Sequence, residues 1–215
     1  MAAIGLFGGT FDPVHFGHLR LATELAEAFH LDSVIFIPAG LPYHRGRGAH
    51  GTNDQRLTML KLATQRDARF DVDDRELRRE GPTYTFDTLT EIRKERGPEL
   101  PILFLCGSDS FASIDTWHRW TELFDLAHFV IAIRAGDEAW QSKGPGAFPK
   151  QVWPRITLNA RELAASPAGK IVTFVMTPLA ISSSAIRNIA AEGASIRYLS
   201  PDPVVEYVRS HDLYK

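Results

Sequence analysis

The chain has 215 residues, 44% of them hydrophobic, which is enough for one sizeable core; the expectation is a single domain over residues 1–215, its helical C-terminal part (about 182–215) packed on that core. A formal net charge of -2, with 24 Lys and Arg spread along the chain, gives no basic face for nucleic acid and favours small-molecule chemistry. The single cysteine, Cys106, excludes a disulfide framework and a thiolate metal site, and no stretch resembles a leader or a membrane span, so a cytoplasmic protein without membrane partners is expected; oligomeric state stays open.

The first apolar run, residues 3–7, reads as a buried strand and leads into Gly8-Gly9-Thr10-Phe11-Asp12-Pro13-Val14-His15-Phe16-Gly17-His18. A strand, a glycine turn and a helix start in succession suit a phosphate, because glycines admit close approach to the backbone and a helix N-terminus offers unpaired N–H groups. His15 and His18, three residues apart, share a helix face and could donate hydrogen bonds to that anion. The spacing matches neither the Walker pattern nor G-x-G-x-x-G, which disfavours P-loop hydrolysis and hydride transfer. A zinc site lacks a nearby third ligand.

Residues 19–29 follow with Leu19, Ala22, Leu25, Ala26 and Phe29 on one helix face, and a second strand is read at residues 33–38. The glycine-rich stretch 39–53 is too long for a mere connection and carries His44, Arg45 and Arg47, which could close over phosphate. A helix at 55–64 places Leu57, Leu60 and Leu62 near one stripe, and Asp71-Val72-Asp73-Asp74 reads as a solvated turn rather than a metal site. Gly81-Pro82-Thr83-Tyr84-Thr85-Phe86-Asp87-Thr88-Leu89 opens a further helix, whose first amides suit a carboxylate.

Strands are read again at 102–106, followed by Gly107-Ser108-Asp109 and Trp117, at 129–133, followed by Arg134, and at 170–176. Residues 135–149 read as plain surface loop. Beyond Pro178, Ile181-Ser182-Ser183-Ser184-Ala185-Ile186-Arg187 combines a serine N-cap signal with a fork-shaped charge one turn in, a second arrangement fit for phosphate. Alternating strands and helices predict an α/β fold: a Rossmann-like, doubly wound parallel sheet whose ligands lie beyond the carboxyl ends of the strands.

GGTFDPVHFGH resembles the signature of the HxGH nucleotidyltransferases, relatives of class I aminoacyl-tRNA synthetases. ISSSAIR is similar to that family's ISSTxIR element, with Ser184 in place of the usual Thr. Within the family, residues 83–89 resemble the (S/T)YTxxTL element of nicotinate mononucleotide adenylyltransferases, and residues 38–45 resemble its PxxxPPH(K/R) loop, with Tyr43 where a second proline is common. Matching segments run in the family's order from residue 4 to about 187.

The resemblance implies adenylyl transfer from ATP to nicotinate mononucleotide, by direct attack of the acceptor phosphate on the α-phosphorus. It implies catalytic roles for His15, His18 and Arg187. ATP contacts are implied at Gly8, Gly9, Thr10, Phe11, Gly107, Asp109, Arg134, Ser182 and Ser183. Acceptor contacts are implied at His44, Arg45, Tyr84, Thr85, Trp117 and His118, the last standing where a tyrosine is common. Mg2+ is expected as the partner of ATP, held chiefly by phosphates and water.

The acceptor phosphate is already ionised, so positioning and electrostatics dominate over general-base chemistry. The alternatives are nicotinamide mononucleotide, phosphopantetheine or a CTP-dependent sugar or glycerol phosphate as substrate, the last two disfavoured by Thr85 and Trp117. A nucleotide sensor without turnover and a tRNA-linked enzyme are further alternatives; the latter lacks a KMSKS-like lysine pair.

Overall fold

A computed structural model describes residues 3–42, 49–133 and 138–215. In chain order the main elements are β1 (Ile4–Gly9), α1 (Phe16–Ala28), β2 (Ser33–Pro38), β3 (Leu41–Pro42), α2 (Asn53–Thr64), β4 (Phe70–Val72), α3 (Arg75–Arg78), β5 (Pro82–Thr83) and α4 (Thr85–Arg96). They continue with β6 (Ile102–Gly107), α5 (Ser108–Phe111), α6 (Leu123–Leu126), β7 (His128–Ile133), α7 (Glu138–Lys143), α8 (Arg161–Ala164), β8 (Ile171–Val175), α9 (Ser183–Ala191) and α10 (Asp202–Ser210). Six strands form one parallel sheet in the order β4-β2-β1-β6-β7-β8, and β3 pairs with β5 apart from it.

Each central strand buries both faces, and the two-residue period of a strand sorts its side chains into two cores. Phe7, Val34, Phe36, Leu103, Leu105, Val130 and Val172 face one side, where α1 brings Leu21, Ala22 and Leu25, α2 brings Met59 and Leu60, and the C-terminal helices bring Ile186, Val204 and Val208. Ile4, Leu6, Ile35, Ile37, Phe104, Phe129, Ile131 and Ile171 face the other, against Phe86, Leu89 and Ile92 of α4 and Phe111, Leu123 and Phe124. Full burial of each such side chain contributes about 1.5–3 kcal/mol. Chain order reverses direction in the sheet between β1 and β6: β2 lies outward of β1 and β7 lies outward of β6. A crevice opens at such a point beyond the strand ends.

The strands read from sequence at 33–38, 102–106, 129–133 and 170–176 stand within a residue of their observed bounds. Three readings need correction. In α2 the buried positions are Arg56, Met59, Leu60 and Thr64, with Leu62 only partly covered, because a capping box at Thr52 and Gln55 sets the helix start and turns Arg56 inward. Asp71 and Val72 lie in strand β4, not in a turn, and Asp73 just beyond is held by Arg75 (2.8 Å) in an ion-pair group with Glu95. The stretch read as surface loop contains α7, and Phe148 near its end is buried edge-on to Phe111 (5.0 Å) and beside Trp140 (5.7 Å). The aromatic residues there needed cover that a bare loop does not give.

Candidate active site

Beyond Gly9 the backbone turns sharply, with Phe11 in the left-handed region (φ +50°) and its ring buried edge-on to Phe7 (5.4 Å) and to His18 (5.0 Å). His15 is the extended N-cap of α1 and His18 stands three residues on, their rings stacked with centroids 3.7 Å apart. The His15 backbone N–H donates to His18 Nδ1 (3.3 Å), so a neutral His18 carries its proton on Nε2. Gly17 permits this packing: a Cβ there would sit 3.0 Å from His15 Nδ1 and 3.1 Å from Cε1.

The second motif lies against the first. Ser182 caps α9 by accepting from the Ala185 N–H (3.1 Å), and Ser183 Oγ donates to the Pro13 carbonyl (2.9 Å). Arg187 donates through Nη1 to the Asp12 carbonyl (2.7 Å) and through Nη2 to Ser184 Oγ (3.2 Å). On the far side of that segment, Glu24 of α1 accepts from the Thr177 N–H (3.0 Å). Burial works to raise its pKa, but hydrogen bonds from Thr177 and Arg20 outweigh this and hold the carboxylate below its ordinary value. The backbone leaving β8 is thereby tied to the helix that begins with the histidines.

The two motifs border a cleft of about 810 Å³ at the sheet's switch point, with Gly8, Gly9, Thr10, His15, His18, Asp109, Ser182–Ser184 and Arg187 all on its walls. Gly107 turns the chain from β6 into α5, and a Cβ there would meet Asp109 Oδ1 at 2.5 Å, so glycine leaves room for the carboxylate to fold back beside the strand end. A smaller lobe of about 230 Å³ shares Gly8, Gly9, Thr10, Gly107 and Ser110 with the cleft, and is otherwise lined by Thr83, Tyr84, Thr85, Trp117, His118 and Glu76 among others. Tyr84 and His118 pack their rings 4.5 Å apart, while Trp117 stands edge-on to Phe104 (6.4 Å) and packs against the core. Trp117 thus serves as core cover and lobe wall together.

The structure brings together the expected residues of the 8–18, 83–85, 107–109, 117–118 and 182–187 segments. His44, Arg45 and Arg134 lie outside the described residues. Sequence reasoning missed Glu76, whose pKa burial raises although Thr88 donates to it (2.8 Å). It also missed the surroundings of Asp12: the carboxylate is buried and accepts from the His50 and Gly51 N–H groups (2.6 and 3.0 Å) and from the Tyr214 hydroxyl (2.7 Å). Arg56, fully buried, donates to the Thr10 carbonyl and Asn53 Oδ1, both at 2.8 Å. Asp12 was visible inside the first motif; no local pattern marks Arg56 or Tyr214. Among the described residues no group of three His, Cys, Asp or Glu side chains is placed to hold a metal ion, and no helix is long and apolar enough to cross a membrane.

A family model described as cytidylyltransferase-like matches residues 6–189. A protein of Dechloromonas aromatica named "Probable nicotinate-nucleotide adenylyltransferase" is 48% identical over 212 residues, covering 99% of this chain and 97% of its own length. One of the same name from Marinomonas sp. is 40% identical over 215 residues, covering 100% and 96%. Among solved structures, the nicotinic acid mononucleotide adenylyltransferase of Plasmodium falciparum complexed with NaAD superposes with a TM-score of 0.70 at 17% identity, covering 100% of this chain and 98% of that one, a likeness of fold.

Proposed function

The chain belongs to the cytidylyltransferase-like family and stands within it among the nicotinate-nucleotide adenylyltransferases, and on that premise we propose that its cleft transfers the adenylyl group of ATP to nicotinate mononucleotide in NAD biosynthesis. The observation that carries this is the seam between two distant motifs: Ser183 and Arg187 hydrogen-bond the backbone of the same turn that presents His15 and His18 to the cleft. The cleft's lining thereby gathers two imidazoles, a guanidinium, serine hydroxyls and the N-terminal ends of α1 and α9. That is a cradle for a triphosphate.

In this reading ATP occupies the larger lobe, with Asp109 accepting from ribose hydroxyls and Gly8, Gly9, Thr10 and Phe11 letting the phosphates approach the backbone. The acceptor occupies the smaller lobe: the amides at Thr85 receive its carboxylate, Trp117 supplies a flat face for the pyridine ring, and Tyr84 and His118 close the side. An oxygen of the acceptor phosphate forms a bond to the α-phosphorus while the bond from that phosphorus to the bridging oxygen breaks, and pyrophosphate takes the electron pair. The acceptor is already an anion, so no proton needs removal. His18, donating from Nε2, His15 and Arg187 neutralise charge as it shifts onto the leaving group, with Ser182 and Ser183 holding its outer oxygens.

Mg2+ would enter chiefly on the ATP phosphates and water, where it would supply further charge neutralisation. His44, Arg45 and Arg134 are proposed to add phosphate contacts, and the chain to act as one domain with residues 182–215 part of the same catalytic core.

An acceptor panel with pyrophosphate detection tests the assignment. Nicotinate mononucleotide is expected to outrun nicotinamide mononucleotide in kcat/KM, with no turnover of phosphopantetheine. Preference for the amide would move the assignment to the other pyridine nucleotide, and ATP binding without turnover of any acceptor would leave a nucleotide sensor.

A further inference from the structure

The turn that bears the histidines is gripped from behind by residues that do not line the cleft. Tyr214 Oη donates to Asp12 Oδ1 (2.7 Å), Ser200 Oγ donates to the Val14 carbonyl (2.9 Å), and the Phe16 N–H donates to the Leu199 carbonyl (3.0 Å). These bonds fall at positions 12, 14 and 16, on both sides of His15, and all come from the segment 199–214. Between its two ends, α10 packs Val204 and Val208 into the core that also holds α1 and α2, so the segment is anchored independently of the turn.

The backbone around Tyr214 is not relaxed. Asp212 (φ +50°) and Tyr214 (φ +68°) are both in the left-handed region, which is unfavourable for a non-glycine residue and persists where surrounding contacts over-determine it. Those two residues bend the chain after α10 so that the phenol reaches the buried carboxylate. Asp12 in turn accepts from the backbone of residues 50 and 51 through its side chain and from Arg187 through its carbonyl. A single buried residue therefore joins both phosphate-binding motifs, the segment before α2 and Tyr214. Burial, and then the bond to Asp12, raise the phenol's pKa, which favours the protonated form that donates.

We infer that Tyr214 is a positioning residue for adenylyl transfer: acting through Asp12, its hydroxyl fixes the turn that aims His15 and His18 at the reacting phosphates. The inference rests on the reaction proposed above. Tyr214 does not border the cleft, so it has no direct means of binding either substrate. Its effect is confined to how well donors already present meet charge that develops in the transition state, where a displacement of about 1 Å can cost a hundredfold.

The test compares Tyr214→Phe, which keeps the ring and removes the donor, with the wild-type chain in steady-state assays of ATP and nicotinate mononucleotide, referring turnover to the ATP-binding fraction measured by calorimetry. The expected result is a kcat lowered about tenfold, with KM for both substrates within about twofold. Ser200→Ala, which frees the Val14 carbonyl, is expected to give the same split more weakly, and serves if the Phe variant folds poorly. A kcat per binding site within about twofold of wild type, whatever happens to thermal stability or KM, overturns the inference. If the wild-type chain turns over and both variants match it, this inference alone fails; if the wild-type chain adenylylates no acceptor, the proposed function fails and this inference with it.

Discussion

Gly17 shows how one missing carbon serves the histidine pair. Replacing glycine by alanine inside a helix ordinarily stabilises by about 1 kcal/mol, because the unfolded chain has fewer conformations to lose. Here the added methyl would press on the His15 ring, which is already sandwiched against His18 and buried. Activity and stability should part: Gly17→Ala is expected to melt no lower than wild type while kcat/KM falls by about tenfold or more, since the displaced imidazole no longer meets the phosphate. Calorimetry and initial rates on the same preparation check this, and a variant with wild-type rates would free His15 from its assigned role. His15, His18 and Arg187 were legible from residue type and spacing only as candidates for phosphate contact; their catalytic roles came with the family resemblance. Asp12 was legible only as part of a motif, because its importance lies in the donors it collects from residues 50, 51 and 214.

At the level of elements, His128 opens β7 and joins it to the segments around Ser166 and Lys170. Its Nε2 lies 2.7 Å from the Ser166 carbonyl and its Nδ1 accepts from the Lys170 N–H (3.0 Å), an arrangement that requires the neutral ring. Burial, aided by the nearby charges of Arg93 and Lys170, holds its pKa below the ordinary histidine value. Between that ordinary value, near 6.5, and the lower folded one, the unfolded chain binds a proton that the folded chain refuses. Stability therefore rises with pH through this window and is level above it. His128→Gln, which can keep one donor and one acceptor but cannot titrate, is expected to show a shallower loss of melting temperature from pH 7 to pH 5, whatever its stability at pH 7. Parallel loss in both proteins would assign the acid sensitivity elsewhere. Element boundaries of this kind were readable where apolar runs are long, as in β2; β4 was missed because Asp71, on its exposed face, breaks a three-residue strand into what looks like a turn.

For the whole molecule, the sheet's reversal between β1 and β6 places the glycine turns of both strands on the wall shared by the two lobes. In the proposed arrangement each substrate braces elements from both halves of the sheet, and binding should stabilise the fold as a unit. A non-hydrolysable ATP analogue at a hundred times its Kd is expected to add about 2.7 kcal/mol, a rise of several degrees in a chain of this size. At the same analogue concentration the rise should shrink in His18→Ala and in Arg187→Ala alike, if both reach one triphosphate. Thermal shift assays decide: a full rise in the histidine variant alongside a lost one in the arginine variant would mean that the two motifs do not share a ligand.

By itself the sequence determined the class of fold and marked out the two motifs proposed to bind phosphate, because strand period, glycine turns and helix starts are written within a few residues of one another. It also supplied the family resemblance on which the proposed acceptor lobe around Thr85 and Trp117 rests. Only the tertiary structure decided that Arg187 reaches the Asp12 carbonyl, that Arg56 is swallowed by the core beside the turn, and that Tyr214 closes a contact across 202 positions of chain. Such contacts depend on where a hydrogen-bond donor ends up once the helices have packed, and no local pattern encodes the partner of a group that becomes buried far from its neighbours in sequence.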